Sequence, residues 1–102
     1  IMTQRSADFP IGVPANIQFY SALTMMIAQQ TGYRAKELVH ETHDSHIYEN
    51  QIEAVQKYLD TPIVDSPRFH LAQAPSITEY THKNFNLFYH EYGPLITIPV
   101  AV

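Results

Sequence analysis

The chain has 102 residues and a formal net charge of −4, and its six Lys and Arg are scattered rather than gathered in a stripe. That argues against a nucleic-acid polymer as partner, because such binding rests on neutralising a row of phosphates. With no Cys, neither a disulfide nor a thiolate metal site forms within the chain. An apolar share of 45% with 12% aromatics is that of a globular chain. The longest apolar helical run, residues 17 to 28, is shorter than the roughly 20 residues of a membrane span, and no signal peptide is visible at the start. The default expectation is a soluble, cytoplasmic protein.

Residues 3 to 9 read as a strand. Phe9-Pro10-Ile11-Gly12-Val13-Pro14 reads as a turn, because two prolines resist helix and Gly12 tolerates positive φ. A helix is predicted from Ala15 or Asn16 to Gln30, with Asn16 a suitable N-cap and Gly32 a suitable C′ residue. No Asp, Glu, Lys, Arg or His occurs between Asp8 and Arg34. Charged side chains are rarely fully buried unless paired, so this helix is expected to be covered on most sides, with Met25, Met26 and the aromatics as core filling.

Residues 37 to 43 read as a second strand, followed by a polar turn. A second helix is predicted over 49–59, with Glu53 and Lys57 paired at i,i+4 and Asp60-Thr61-Pro62 ending it. Residues 62 to 67 are loop, 69–73 a short strand, 75–80 one helical turn, and 84–89 another strand. Gly93-Pro94 turns the chain into an apolar tail. The strand-like start and the apolar end both lack neighbours close in sequence, so the chain reads as a segment of something larger.

Several residues have chemistry to offer. The guanidinium of Arg5 and the hydroxyl of Ser6 suit the oxygens of a phosphate, and equally suit a solvated surface. Asp8 could accept from a heterocyclic N–H or cap the turn. The carboxamide of Asn16 presents one acceptor and two donors in a plane, which fits the edge of a cyclic imide such as uracil as well as it fits an N-cap. His40, His43 and His46 are spaced by three, which on a strand alternates faces and disfavours a metal site. His46 and Tyr48, at i,i+2, share a side in extended backbone and suit a sugar hydroxyl or a polar strand end. No nucleophile elbow supports a Ser-His-Asp triad.

Taken together, Gln4-Arg5-Ser6-x-Asp8, Gly12-x-Pro14-x-Asn16, Asp44-x-His46-x-Tyr48 and the terminal Pro99-Val100-Ala101-Val102 resemble the C-terminal part of thymidylate synthase along the whole chain. The run SALTMMIAQQTGY is similar to that family's buried helix. The resemblance implies an α+β fold, a mixed β-sheet with a long buried helix, in which residues 1–102 are one segment of a single domain. It implies a homodimer through sheet-face packing, and the missing upstream part of its own chain as a further partner. It also implies methyl transfer to dUMP, with 5,10-methylenetetrahydrofolate as one-carbon donor and reductant and no metal.

By the same resemblance, Arg5 and Ser6 hold the dUMP phosphate, Ala7 and Asp8 line the nucleotide, and Asn16 reads the uracil. His46 and Tyr48 take the ribose hydroxyl. Asp8, Ile11 and Gly12 contact the folate, over which Ala101 and Val102 close. The sequence departs from the family pattern in three places. The nucleophilic Cys is absent, which implies no catalysis by this chain alone. Ala15 replaces the usual Phe, and Glu41-Thr42-His43 replaces a glycine-rich approach to Asp44, expected to stiffen a loop. A dUMP hydroxymethylase on the same scaffold and a non-catalytic nucleotide-binding remnant are the alternatives.

Overall fold

The computed structural model describes residues 1–89 and 91–100. Strand β1 (Met2–Asp8) leads into helix α1 (Gly12–Thr31), which returns the chain to strand β2 (His40–His46). A 3-10 turn at Glu49–Gln51 runs into helix α2 (Ile52–Leu59), followed by β3 (Arg68–Leu71), a second 3-10 turn at His82–Asn84, and β4 (Phe85–Phe88). The fold is α+β. Its parallel and antiparallel pairings fall in two separate two-stranded sheets, β1–β2 and β3–β4.

β1 and β2 are parallel, as a strand–helix–strand connection allows and a short hairpin does not. Their register runs without offset from Met2 opposite His40 to Asp8 opposite His46. β2 therefore begins three residues later than the apolar pair Leu38-Val39 suggests. HETHDSH contains no apolar side chain, so its strand conformation comes from the ladder with β1 rather than from its own pattern. A further main-chain bond, Met2 N–H to the Val39 carbonyl at 2.8 Å, sets the register at the entrance.

Helix α1 starts earlier than its prolines and Asn16 suggest. Ile11 is the N-cap, without a side-chain cap bond, and Gly12, Val13 and Pro14 form the first turn. The first N–H groups of a helix have no intrahelical acceptor, so Pro14 removes nothing there and its fixed φ fits. Gly12 is thus helical, and Asn16 sits in the second turn rather than at the cap. At the other end the expectation holds: Gly32 is left-handed at φ 75° and donates to the Ala28 carbonyl. The Tyr33 N–H reaches the same oxygen at 2.9 Å, closing a Schellman-type end.

The core within this chain is small: Ala7, Val13, Leu71 and Ala74 are its buried apolar residues among those described. Val13 is the buried residue of α1, and Phe19 and Ile27 stand 64% and 49% exposed. The expected all-round cover of α1 is therefore not supplied by the other described residues. Polar bonds tie its C-terminal end to the second sheet. Gln29 Nε2 donates to the Leu71 carbonyl at 3.0 Å, and Gln30 Nε2 to the Ala74 carbonyl at 2.8 Å. The Tyr80 hydroxyl accepts from Gln30 and donates to Gln29.

The expected helical turn at 75–80 is a bend closed by Glu79 N–H on the Ser76 carbonyl at 3.1 Å; the helical turn comes at His82–Asn84 instead. On α2, Lys57 meets Glu53 at 2.7 Å. That hydrogen bond, and then the lysine's charge, hold the Glu53 carboxyl below its usual range. Among the described residues no helix is long and apolar enough to cross a membrane.

A Cβ at Gly32 would meet nothing within 4 Å, so Gly32→Ala tests backbone conformation alone. It is expected to lower unfolding stability by about 1–2 kcal/mol, the cost of a left-handed L-residue, read from the urea midpoint, with Gly32→Asn losing less.

Candidate functional site

The zero-offset register brings the carboxyl ends of β1 and β2 level, and ligands of open parallel sheets bind at such ends. Asp8 stands opposite His46 in the last pair of the ladder. The Phe9 N–H then donates to the His46 carbonyl at 3.0 Å, extending the pairing by one bond. His46 Nδ1 lies 3.2 Å from the Asp44 carbonyl oxygen. A carbonyl only accepts, so Nδ1 carries the proton, and in the neutral ring Nε2 presents a lone pair. The Tyr48 ring stands edge-on to the His46 ring, centroids 4.9 Å apart. The extended spacing predicts this neighbourhood, and the structure contains it: an imidazole acceptor beside a phenol.

A second group is organised by Gln4. Its Nε2 donates to the Ser6 carbonyl at 2.9 Å and to Asn16 Oδ1 at 3.1 Å, and its Oε1 lies 3.0 Å from His40 Nε2. The Ser6 carbonyl fixes the direction of the whole series. Because that oxygen can only accept, the NH2 of Gln4 must face it, and His40 Nε2 must donate to Gln4 Oε1. Asn16 in turn must offer its oxygen to Gln4. The NH2 of Asn16 points elsewhere and has no partner among the described residues. Half-buried Asn16 is thus a donor aimed away from the protein's own network, with one lone pair of Oδ1 still open.

Gly12 joins the two groups. A Cβ built there would lie 3.6 Å from the Asp8 Cβ and 3.7 Å from Asn16 Oδ1, so strand end, helix start and carboxamide meet around its bare Cα. An open depression of about 290 Å³ is lined by Met2, Thr3, Gln4, Arg5, Asn16 and Tyr20. Arg5 and Asn16 share it. Ser6 does not border it; it shares a strand face with Met2, Gln4 and Asp8, and Arg5 is exposed on the opposite face. Ala7 is fully buried, so it presents no accessible surface to a ligand here. Ile11 is half-buried at the helix start.

His40 and His46 are half-buried and His43 is exposed; among the described residues no group of three His, Asp or Glu is placed to hold a metal ion. Glu41, Thr42 and His43 belong to β2 rather than to a loop, so their bulk bears on strand pairing, and Thr3 Oγ1 reaches Glu41 Oε2 at 3.4 Å. Ala15 is exposed on α1. Ala101 and Val102 lie outside the described residues.

Sequence reasoning missed Gln51. Its side chain is fully buried and its three bonds reach three separate segments: the Tyr48 N–H, Asp8 Oδ1 and the Pro99 carbonyl. The available signal was a Gln three residues after Tyr48 at a helix start, the spacing at which a side chain bonds back to the N-terminal main chain.

The family profile for thymidylate synthase matches residues 1–102. The chain belongs to the thymidylate synthase family. It is 39% identical to a thymidylate synthase of Leuconostoc mesenteroides over 102 residues, 99% of this chain and 32% of that protein. It is also 39% identical to one of Francisella philomiragia over 103 residues, 100% of this chain and 38% of that one. Among solved structures, thermostable thymidylate synthase A from Bacillus subtilis matches with a TM-score of 0.91 and 28% identity, over 98% of this chain and 36% of that one. The chain thus spans about a third of the length of the family members it matches.

Gln4→Leu removes the donor to the Ser6 carbonyl and Asn16 Oδ1 and the acceptor from His40. Leaving such part-buried groups unpaired is expected to cost roughly 1–3 kcal/mol, measured by urea unfolding. Gln4→Glu, which sets a carboxylate against the Ser6 carbonyl, is expected to cost at least as much.

Proposed function

We propose that these residues form the part of a thymidylate synthase that grips dUMP and folate while dUMP is converted to dTMP. The observation that carries this reading is the outward NH2 of Asn16, fixed through Gln4 by the Ser6 carbonyl. An NH2 donor beside an open lone pair complements the O4 and N3–H of uracil. It mismatches cytosine, whose exocyclic amine also donates. Arg5 and Ser6 contribute from the two faces of β1 to the nucleotide phosphate. The Nε2 acceptor of His46 and the Tyr48 hydroxyl hold the ribose hydroxyl.

Folate fits the other side of the same junction, where the Asp8 carboxylate, Ile11 and Gly12 offer an acceptor, an apolar wall and open space. When bound, 5,10-methylenetetrahydrofolate supplies the one-carbon unit and the hydride. Ala101 and Val102 close over it and exclude water. The nucleophilic thiolate has no candidate among these residues, which contain no Cys, and comes from the upstream part of the enzyme's single domain. The working protein in this reading is a cytoplasmic homodimer, with partners that cover the open faces of α1.

A second reading, dUMP hydroxymethylation, draws on exposed Ala15, where the small side chain leaves room for water near the folate. Accumulation of dihydrofolate during turnover separates the two, since only the synthase oxidises the folate.

In the intact protein carrying this chain, Asn16→Asp is expected to shift relative kcat/KM from dUMP towards dCMP by about 100-fold or more, the scale set by mispaired buried polar groups. An unchanged ratio would sink the assignment of Asn16. Deleting Val102 is expected to leave dUMP affinity within about twofold while lowering kcat at least about tenfold, as loss of a closing segment does.

A further inference from the structure

We propose that Gln51 is a positioning residue that clamps the C-terminal segment onto the strand end carrying Asp8. The inference rests on the reading above for its link to folate. The clamp itself rests on the geometry of one buried amide.

Gln51 is the one polar residue with no exposed surface among those described, and it stands where the first 3-10 turn passes into α2. Its Oε1 accepts the Tyr48 N–H at 3.1 Å, and its Nε2 donates to the Pro99 carbonyl at 3.1 Å and to Asp8 Oδ1 at 3.4 Å. A main-chain donor at one end and a main-chain acceptor at the other fix the amide's direction. Its two N–H groups serve two acceptors that would otherwise repel each other, the Asp8 carboxylate and the Pro99 carbonyl oxygen.

No apolar side chain does this, and neither does a carboxylate. An apolar side chain leaves the Tyr48 N–H and the Pro99 carbonyl unpaired in a buried place. A carboxylate keeps the Tyr48 bond but turns an acceptor towards two acceptors, one of them charged. The segment that Gln51 holds is otherwise loosely packed: Leu95 is 94% exposed and Val100 69% exposed. Gln51 immediately precedes α2, the helix that follows His46 and Tyr48, and the same amide holds both the Tyr48 main chain and the tail. Strand end, ribose-side aromatic pair and C-terminal segment are coupled through it.

The test is Gln51→Glu in the intact protein carrying this chain, with Gln51→Met as the variant that removes the donors without adding charge. Hydrogen exchange is followed by mass spectrometry over the segment 93–100, with residues 17–28 of α1 as the internal record of folding. The clamp predicts at least about tenfold faster exchange in 93–100 for Gln51→Glu, a smaller rise for Gln51→Met, and unchanged exchange in α1. Equal exchange in 93–100 for the unmodified protein and both variants overturns it. So does a rise that spreads equally through α1 in both variants, since that marks general loosening. Kinetics give the second readout: KM for the folate rises and kcat falls for Gln51→Glu, while KM for dUMP stays within twofold. A proportional rise in both KM values overturns the selective positioning role. If the unmodified protein binds neither dUMP nor folate, the functional reading fails, and the exchange result still decides the clamp.

Discussion

In-register parallel pairing of β1 with β2 is the constraint on which the site depends. Arg5, Ser6, Asp8, Asn16, His46 and Tyr48 each sit on one of these strands, at the loop that continues them, or on the helix that joins them. With no offset between the strands, Asp8 and His46 finish level, Phe9 extends the ladder onto the His46 carbonyl, and Tyr48 follows beside His46. A slip of one residue would send Gln4, Ser6 and Asp8 to the opposite face. The junction around Gly12 would then lack the Asp8 carboxylate, and Asn16 the Gln4 amide that orients it.

Carboxamides do the organising within that frame. Gln4, Gln29, Gln30 and Gln51 each bond to at least one main-chain carbonyl. Main-chain groups cannot exchange donor for acceptor, so each of these amides has its direction imposed. The consequence is functional where the amide continues to another polar side chain. Gln4 hands its fixed direction to Asn16, and Gln51 hands its own to Asp8. A buried network of this kind is valuable only when every member is satisfied, and among the described residues no buried side-chain polar atom lacks a partner.

The apolar side of the ledger is thin by comparison. Ala7 and Val13 serve the first sheet, and Leu71 and Ala74 the second, while much of α1, the residues around Ile63, and Leu95 stay open. Parallel sheets are normally covered on both faces, and a two-stranded pair is marginal by itself. The exposed apolar faces and, among the described residues, the four outer edges of the two two-stranded sheets therefore fit a segment that spans a third of its relatives' length.

How much was legible in the sequence differs from residue to residue. The strand at the start, the long uncharged helix with Gly32 at its end, and the neighbourhood of His46 and Tyr48 follow from local rules: periodicity, the left-handed tolerance of glycine, and the alternation of an extended chain; the α+β class is what the family resemblance implies. The family resemblance followed from motif spacing along the chain. Other features were decided in three dimensions. HETHDSH becomes a strand because β1 lies beside it. Pro14 is accepted because it falls in a first turn whose N–H groups have no acceptor, and that places Asn16 inside the helix. Gln51, unremarkable in the sequence, became the buried link between Asp8, Tyr48 and Pro99. A residue's partners across 43 or 48 positions leave no trace in local pattern, because they are chosen by where the chain returns and not by what lies next to them.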